Sequence, residues 1–182
     1  MTLLKIFFLY AIFFSVFIAS WNEISFSSLY TPSLENSTNM TSMIKIGDLL
    51  YSTNNGNVTN VRILDITDPV KTEVSFVEKG IINETIKVTN QGTYIETYLS
   101  NDVIRGEGKG IITAQNNGEI VTWQAYDSGK LLNSNETQTY HGIIFFNSYS
   151  QGKLSFLDNK VGLYLIEIGD DGSYSRHIWE WK

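Results

Sequence analysis

Cysteine is absent from this chain of 182 residues, and proline occurs only twice. The lack of cysteine excludes disulfides, thiolate metal ligands, cysteine nucleophiles and a lipid attached to an N-terminal cysteine. Only two histidines occur, His141 and His177, so a three-histidine metal site is excluded too. We therefore expect no metal and no cofactor.

Basic residues are also scarce, with 13 Lys and Arg against 19 Asp and Glu and a formal net charge of −6. No basic patch stands out, so we expect no nucleic-acid partner. Hydrophobic residues make up 42% of the chain and aromatic residues 13%, which is typical of a folded domain rather than a disordered one.

The N-terminal segment is the longest hydrophobic run. From Ile6 to Ala19 no residue is charged, and Lys5 precedes the run. As a helix, residues 3–21 would span about 28 Å, close to the thickness of a bilayer's hydrocarbon core. The lysine in front predicts an N-terminus inside and the bulk of the chain outside. Both a cleaved signal peptide and an uncleaved signal-anchor fit this pattern.

Three segments follow from these patterns. Residues 1–21 are predicted to be a signal peptide or signal-anchor helix, 22–43 a polar linker, and 44–182 a single β domain. We therefore expect an extracytoplasmic protein, either secreted or held at the membrane through residues 3–21.

The residues after Met43 alternate between two faces, which is typical of β-strands. Tyr94, Glu96 and Tyr98 share one face of a predicted strand. About eight strands at short spacing predict an all-β, small antiparallel up-and-down barrel, since closure removes exposed strand edges. The predicted turns are Asn54-Asn55-Gly56, Gln91-Gly92, Asn116-Asn117-Gly118 and Asp170-Asp171-Gly172.

Three glycines, Gly106, Gly108 and Gly110, fall on one face of a predicted strand. A bare strand face indicates a tight bend or a neighbour that packs closely, as barrel closure requires. No helix is predicted after these glycines, so a phosphate-binding loop is not favoured.

Several elements together resemble a known family over about residues 45–182. The most specific are Gly152-Lys153-Leu154-Ser155-Phe156-Leu157 and the ending Trp179-Glu180-Trp181-Lys182. They resemble a largely archaeal family of prokaryotic exported proteins to which no activity is assigned. The pattern is also loosely similar to the small antiparallel barrel of allene oxide cyclase and dirigent-type proteins.

Glu96 is the one candidate for a catalytic residue, although we expect it more readily on a solvated outer face. A carboxylate that faces a closed apolar barrel would have a raised pKa and serve as a general acid or base. Both histidines are expected at the barrel wall or rim. Candidate ligand-binding residues are the aromatic residues Tyr94, Tyr98, Trp123, Trp179 and Trp181, although packing of the last two against the core is the simpler explanation.

Five Asn-x-Ser/Thr sequons are candidate glycosylation sites, which agrees with an extracytoplasmic domain. They are Asn36, Asn39, Asn57, Asn83 and Asn135, each in or beside a predicted loop.

Three functions stay open at this point. The favoured one is a barrel, not an enzyme, that binds a small hydrophobic ligand or a cell-surface partner. The second is an enzyme similar to allene oxide cyclase that acts on a lipid-like substrate with Glu96 assisting. The third is a structural accessory of a membrane or surface complex.

Overall fold

The computed structural model describes residues 45–99, 102–130, 138–169 and 171–182. The predicted leader and linker, and the sequons Asn36, Asn39 and Asn135, lie outside these residues. Within the described ranges, no helix has the length and apolar character needed to cross a bilayer. The strands are β1 (Ile46–Asp65), β2 (Lys71–Ile82), β3 (Ile86–Tyr98), β4 (Val103–Ala114), β5 (Ile120–Lys130), β6 (Gln138–Ser148), β7 (Val161–Ile168) and β8 (Tyr174–Trp181).

The eight strands form one closed barrel in chain order. Each strand pairs antiparallel with the next, and β8 pairs with β1 to close the sheet. The predicted eight-stranded antiparallel up-and-down barrel is therefore confirmed. Along each strand, inward and outward side chains alternate, so that Phe76 and Tyr94 are buried while Val77 and Ile95 are exposed.

One end of the barrel, the plugged end, is closed by the connection between β6 and β7. This connection contains a short 3-10 helix, Ser155–Leu157, and it buries Leu154 and Leu157 completely. Both leucines belong to the Gly-Lys-Leu-x-Phe-Leu element, so that element packs as a stopper for the core. The opposite end, the cavity end, carries the β1–β2, β3–β4 and β7–β8 turns.

Strand β1 extends beyond its partner on one side. It pairs with β8 only from Ile46 to Gly56, whereas its pairing with β2 continues as far as Asp65. Residues 57–65 therefore form an arm that projects past β8 at the cavity end.

Two of the predicted turns are wrong, because their glycines serve close packing within strands. Asn54–Gly56 lies in β1 and Gln91–Gly92 lies in β3. A side chain at position 56 would collide with the ring of Tyr174, and one at position 92 with the ring of Trp123. The turn between β2 and β3 uses Asn83 and Glu84 instead, both with positive φ.

The other two predicted turns agree with the structure where it describes them. Gly118, between β4 and β5, has a φ of 71°, and Gly172, between β7 and β8, has a φ of 78°. Glycine adopts this left-handed conformation without a steric penalty.

The three glycines of β4 share one face, as the sequence predicts, and the structure shows that this face is the inner one. Aromatic rings lie over two of them, Tyr94 on Gly108 and Trp123 on Gly110, while the Asp127 carboxylate lies against Gly106. The bare strip of β4 is therefore covered by side chains from its two neighbouring strands, β3 and β5.

Candidate functional site

A buried carboxylate, Glu78, lies at the centre of the barrel interior. Its Oε1 accepts hydrogen bonds from the Tyr51 hydroxyl at 2.7 Å, from Nδ2 of Asn90 at 2.6 Å and from Nη1 of Arg176 at 2.9 Å. Asn90 in turn accepts a hydrogen bond from Nε1 of Trp123 at 2.8 Å. These donors balance the charge of the carboxylate, which makes its burial tolerable.

Arg176 links this network to the cavity end of the barrel. Its guanidinium lies 4.6 Å from the centre of the Phe76 ring and 5.6 Å from that of Tyr174. Such contacts stabilise a cation away from water. Nε of Arg176 is buried and makes no hydrogen bond to any described residue. One donor of this buried cation is therefore available to another molecule.

Asp127 is the centre of a second polar group. Its Oδ2 accepts a hydrogen bond from the Tyr164 hydroxyl at 2.7 Å, and the Tyr164 and Tyr94 hydroxyls lie 3.3 Å apart. Burial raises the pKa of Asp127 above its usual range, and burial raises the pKa of Tyr94 to about 12. The uncharged forms of both groups are thereby favoured.

Glu96 lies on the inward face of β3, at the cavity end. Its Oε2 accepts a hydrogen bond from the Tyr98 hydroxyl at 3.0 Å and a longer one from Oγ1 of Thr72 at 3.4 Å. Burial raises the pKa of this carboxyl above its usual range. The expectation of a solvated outer position for Glu96 is wrong, because it shares the parity of the buried Tyr94.

A cavity of about 80 Å³ lies between Arg176, Asp127 and Glu96. Buried residues such as Phe76 form its inner part, and Val58, which is 47% exposed, lies at its mouth, so the cavity reaches the surface. Its charged or acidic lining residues are Glu96, Asp127 and Arg176, and its other lining residues are Val58, Val74, Phe76, Tyr94, Tyr140, Ile166, Ile168 and Tyr174.

A wider depression, of about 780 Å³, lies on the outer wall across β3 to β6. Its outward-facing lining includes four residues that are exposed to solvent, Gln91, Lys109, Gln124 and Phe145. No buried acidic or basic side chain contributes to it. The interior cavity is therefore the better candidate site.

The structure divides the predicted ligand-binding residues between the two faces of the barrel. Tyr94 lines the cavity, Tyr98 holds Glu96 at its mouth, and Trp123 is buried below it, stacked on Phe76. Trp179 and Trp181 point outward, and Trp181 is 40% exposed. The explanation that these two tryptophans pack against the core is therefore wrong.

The two histidines lie on the outer wall. His141 is exposed on β6, and His177 stacks on the ring of Trp179 with their centres 5.8 Å apart. Within the described part of the chain, no three His, Asp or Glu side chains come together as a metal site would require.

The two sequons that the structure describes are both exposed. Asn57 lies on β1 at the start of the arm rather than in a loop, and Asn83 lies in the β2–β3 turn.

Sequence reasoning missed Glu78, Asp127 and Arg176. No sequence signal singles out Arg176, because large side chains occur on both faces of β8. The structure shows that Arg176 shares the inward face with Tyr174 and Ile178, and a buried charged residue is a mark of an ion pair or a binding site.

The chain matches no protein-family model and no curated protein. Two solved structures share its fold. A protein of unknown function from Clostridium acetobutylicum ATCC 824 is 8% identical, with a TM-score of 0.61 over 76% of this chain and 99% of that one. A conserved protein of unknown function from Rhodopseudomonas palustris is 10% identical, with a TM-score of 0.57 over 76% and 97% of the two chains. At these identities the likeness shows the barrel fold alone.

Proposed function

We propose that this barrel binds a small, mostly apolar molecule in its interior cavity. The observation that carries the proposal is the lining itself: aromatic and aliphatic side chains surround a single buried cation, Arg176, that has an unused donor. Binding sites typically combine an apolar wall with a few polar groups that orient the ligand. A volume of about 80 Å³ limits the enclosed part to a few non-hydrogen atoms.

An uncharged polar group on the ligand fits this cavity best. The charge of Arg176 is already compensated by Glu78, and burial favours the neutral forms of Asp127 and Glu96. A charged ligand would have to give up its hydration without an opposite charge that is free to pair with it.

A matched pair of valines on β2 provides the test. Val74 lines the cavity, whereas Val77 is exposed on the outer wall. We expect 1-butanol, titrated into the full chain, to shift the amide NMR signals of Tyr174 and Arg176. Val74→Phe fills the cavity and should weaken this binding at least tenfold, while Val77→Phe should leave it unchanged. Equal binding to the Val74→Phe variant would disprove the proposal.

A second candidate function is acid–base catalysis of the kind that an isomerase or cyclase performs. It is favoured by two carboxyl groups with raised pKa, Glu96 and Asp127, facing one apolar cavity. A carboxyl group of raised pKa that faces a reacting molecule can serve as a general base and then as a general acid. The test is exchange of the protons next to the carbonyl of 2-butanone for deuterium. Faster exchange than in buffer, lost in Glu96→Gln, supports catalysis, and exchange at the rate of buffer contradicts it.

We also propose that the barrel works outside the cytoplasm, secreted or anchored by residues 3–21. The uncharged run behind Lys5 and the exposed positions of Asn57 and Asn83 support this. Mass spectrometry of protein purified from its own cells tests it. A mass lower by the leader, or higher by glycans, is expected for a secreted protein, and an intact unmodified chain in the soluble fraction would contradict the proposal.

Binding of a surface partner, with or without a role as an accessory subunit, has one observation in its favour. Trp179 and Trp181 form an outward aromatic pair on β8. Aromatic residues are enriched at protein interfaces. Trp181→Ser should leave the melting temperature unchanged but prevent recovery of a partner by cross-linking in intact membranes. Identical cross-linked products from both proteins would exclude this surface.

A further inference from the structure

The inner face of the arm carries an exposed apolar stripe, which we define as Val58, Val61 and Ile63. Directly opposite residues in an antiparallel pair share a face of the sheet. The facing pairs are Val58–Phe76, Val61–Val74 and Ile63–Thr72. Phe76 and Thr72 are buried and Val74 lines the cavity, so the stripe continues the inner wall of the barrel.

The spacing of the stripe depends on a bulge. A register shift between Val58 and Asn60 leaves Thr59 without a partner on β2, and it brings Val61 onto the same face as Val58. From Val58 to Ile63 the stripe is about 15 Å long. The bulge thus keeps three β-branched side chains in one line that begins at the mouth of the cavity.

These side chains are open to solvent at the point where interior residues of a closed barrel are normally covered. Val58 is 47% exposed, Val61 59% and Ile63 66%. They are exposed because β8 begins at Tyr174, opposite Gly56, so among the described residues no strand lies beside the arm on that side. A contiguous exposed apolar strip of this kind marks a binding surface.

We propose that the ligand is an unbranched aliphatic chain with one uncharged polar end, longer than the cavity, whose polar end lies near Arg176 while its chain runs out along the stripe. This inference rests on the proposed binding in the cavity. Its basis is continuity: Val58 belongs to both the cavity and the stripe, so an occupant of one leads directly to the other. A narrow line of aliphatic side chains matches a linear chain rather than a broad ring system.

The position of the polar groups sets the orientation. Arg176, Asp127 and Glu96 all line the cavity, whereas the stripe offers only methyl groups. With the polar end on the stripe, the buried Nε of Arg176 would face an aliphatic chain and would stay without a hydrogen-bond partner. The chain therefore enters with its polar end first.

A chain-length series tests the inference. The full chain is titrated with 1-butanol, 1-hexanol and 1-decanol, and binding is measured by NMR. Each methylene that contacts the stripe should tighten binding roughly fourfold, the equivalent of about 0.8 kcal/mol per buried methylene. Decanol should therefore bind at least tenfold more tightly than butanol. Equal affinities for hexanol and decanol would overturn the inference.

Variants of the arm locate the effect. Val61→Thr with Ile63→Thr keeps β-branched side chains and so keeps the strand. It should weaken decanol binding at least tenfold and leave butanol binding unchanged. Val77→Thr is the matched control, because Val77 is a β-branched residue exposed on the outer face of β2, opposite Asn57 of the arm, and it should affect neither ligand. If the double variant binds decanol as the wild type does, the stripe is not the site.

Two further outcomes separate a failure of the cavity proposal from a failure of the stripe inference. If butanol does not bind at all, the cavity proposal fails, whatever the stripe does. If light scattering shows a dimer that becomes a monomer in the Val61→Thr and Ile63→Thr variant without any ligand, a second copy of the chain covers the stripe, and the inference is overturned while the cavity proposal stands.

Discussion

Arg176 and Glu78 are 98 residues apart in the sequence and form an ion pair of 2.9 Å inside the barrel. The Glu78 side chain is fully buried and that of Arg176 is 5% exposed. Because water cannot replace a lost partner here, removal of either residue would leave a buried charge without compensation. The pair also sets the charge balance of the cavity beside it.

Breaking this pair from one side should strongly destabilise the barrel. Arg176→Met leaves the Glu78 charge buried and should lower the free energy of unfolding by about 3–5 kcal/mol, measured by urea denaturation. The double change Arg176→Met with Glu78→Gln removes both charges and should be more stable than Arg176→Met alone. A double variant as unstable as the sum of the two single variants would contradict this coupling.

An exposed ion pair provides the control. Arg62 and Glu73 lie 3.1 Å apart, but the Arg62 side chain is 63% exposed. Arg62→Met should therefore cost less than about 1 kcal/mol in the same measurement.

The barrel could be predicted from local patterns because a strand buried on one side shows its alternation directly. Tyr94, Glu96 and Tyr98 do lie on one inward face, as their spacing indicates. The same rule was misleading for β8, where large side chains occur on both faces. By composition, the face that carries Trp179 and Trp181 is the apolar one, yet the inward face is that of Tyr174, Arg176 and Ile178. Side-chain size alone does not identify the buried face.

The cavity could not be predicted because its polar residues come from distant strands. Asp127 is on β5 and Arg176 on β8, and neither has a local sequence motif. What makes an arginine acceptable inside the barrel is a glutamate on β2 that only the strand register brings near. The size of the cavity likewise depends on how side chains fill the centre, which no periodicity encodes.

Gly108 should tolerate no side chain while the Tyr94 ring lies over it. Gly108→Ala should lower the free energy of unfolding by about 1–3 kcal/mol, since the ring or the strand must move. Lys109→Ala, the next residue on the outward face, is the control and should change stability by less than about 0.5 kcal/mol. Thermal unfolding measures both. Equal stability of the two variants would show that the ring does not fix this position.

The contribution of Asp127 to the free energy of unfolding should be more favourable in mild acid than at neutral pH. Burial raises its native pKa above the usual 3.8, so the folded state holds the proton more tightly than the unfolded state does. The free energy of unfolding therefore falls as pH rises through the interval between the two values. Asp127→Asn should remove this part of the pH dependence, measured by denaturation between pH 4 and pH 7.

The control for Asp127 is a carboxylate on the outer wall. Glu107 is exposed on β4, and Glu107→Gln should leave the slope of stability against pH as it is in the wild type. Glu96→Gln should act in the same direction as Asp127→Asn, because burial raises the pKa of Glu96 as well. Unaltered slopes in both interior variants would mean that neither carboxyl is desolvated.

Glu119 should hold in place the β6–β7 connection, which closes the plugged end of the barrel. Its carboxylate accepts hydrogen bonds from the Ser150 hydroxyl at 2.6 Å and from the backbone N–H groups of Lys153 at 3.1 Å and Leu154 at 2.8 Å. The hydrogen bond from Ser150, followed by that from the Leu154 backbone, lowers the pKa of Glu119 to about 2. Glu119→Ala should lower the melting temperature at pH 7 and speed amide hydrogen exchange in the β6–β7 connection.

The pH dependence of that effect has a definite sign. A carboxylate with a lowered native pKa stabilises the fold fully above its ordinary value of 4.5, and the stabilisation is lost as pH falls toward about 2. The difference in melting temperature between wild type and Glu119→Ala should therefore shrink between pH 4.5 and pH 2. Because Leu154 and Leu157 close the core beneath this loop, exchange should rise there first. A difference that stays constant down to pH 2 would show that Glu119 acts through packing rather than through its charge.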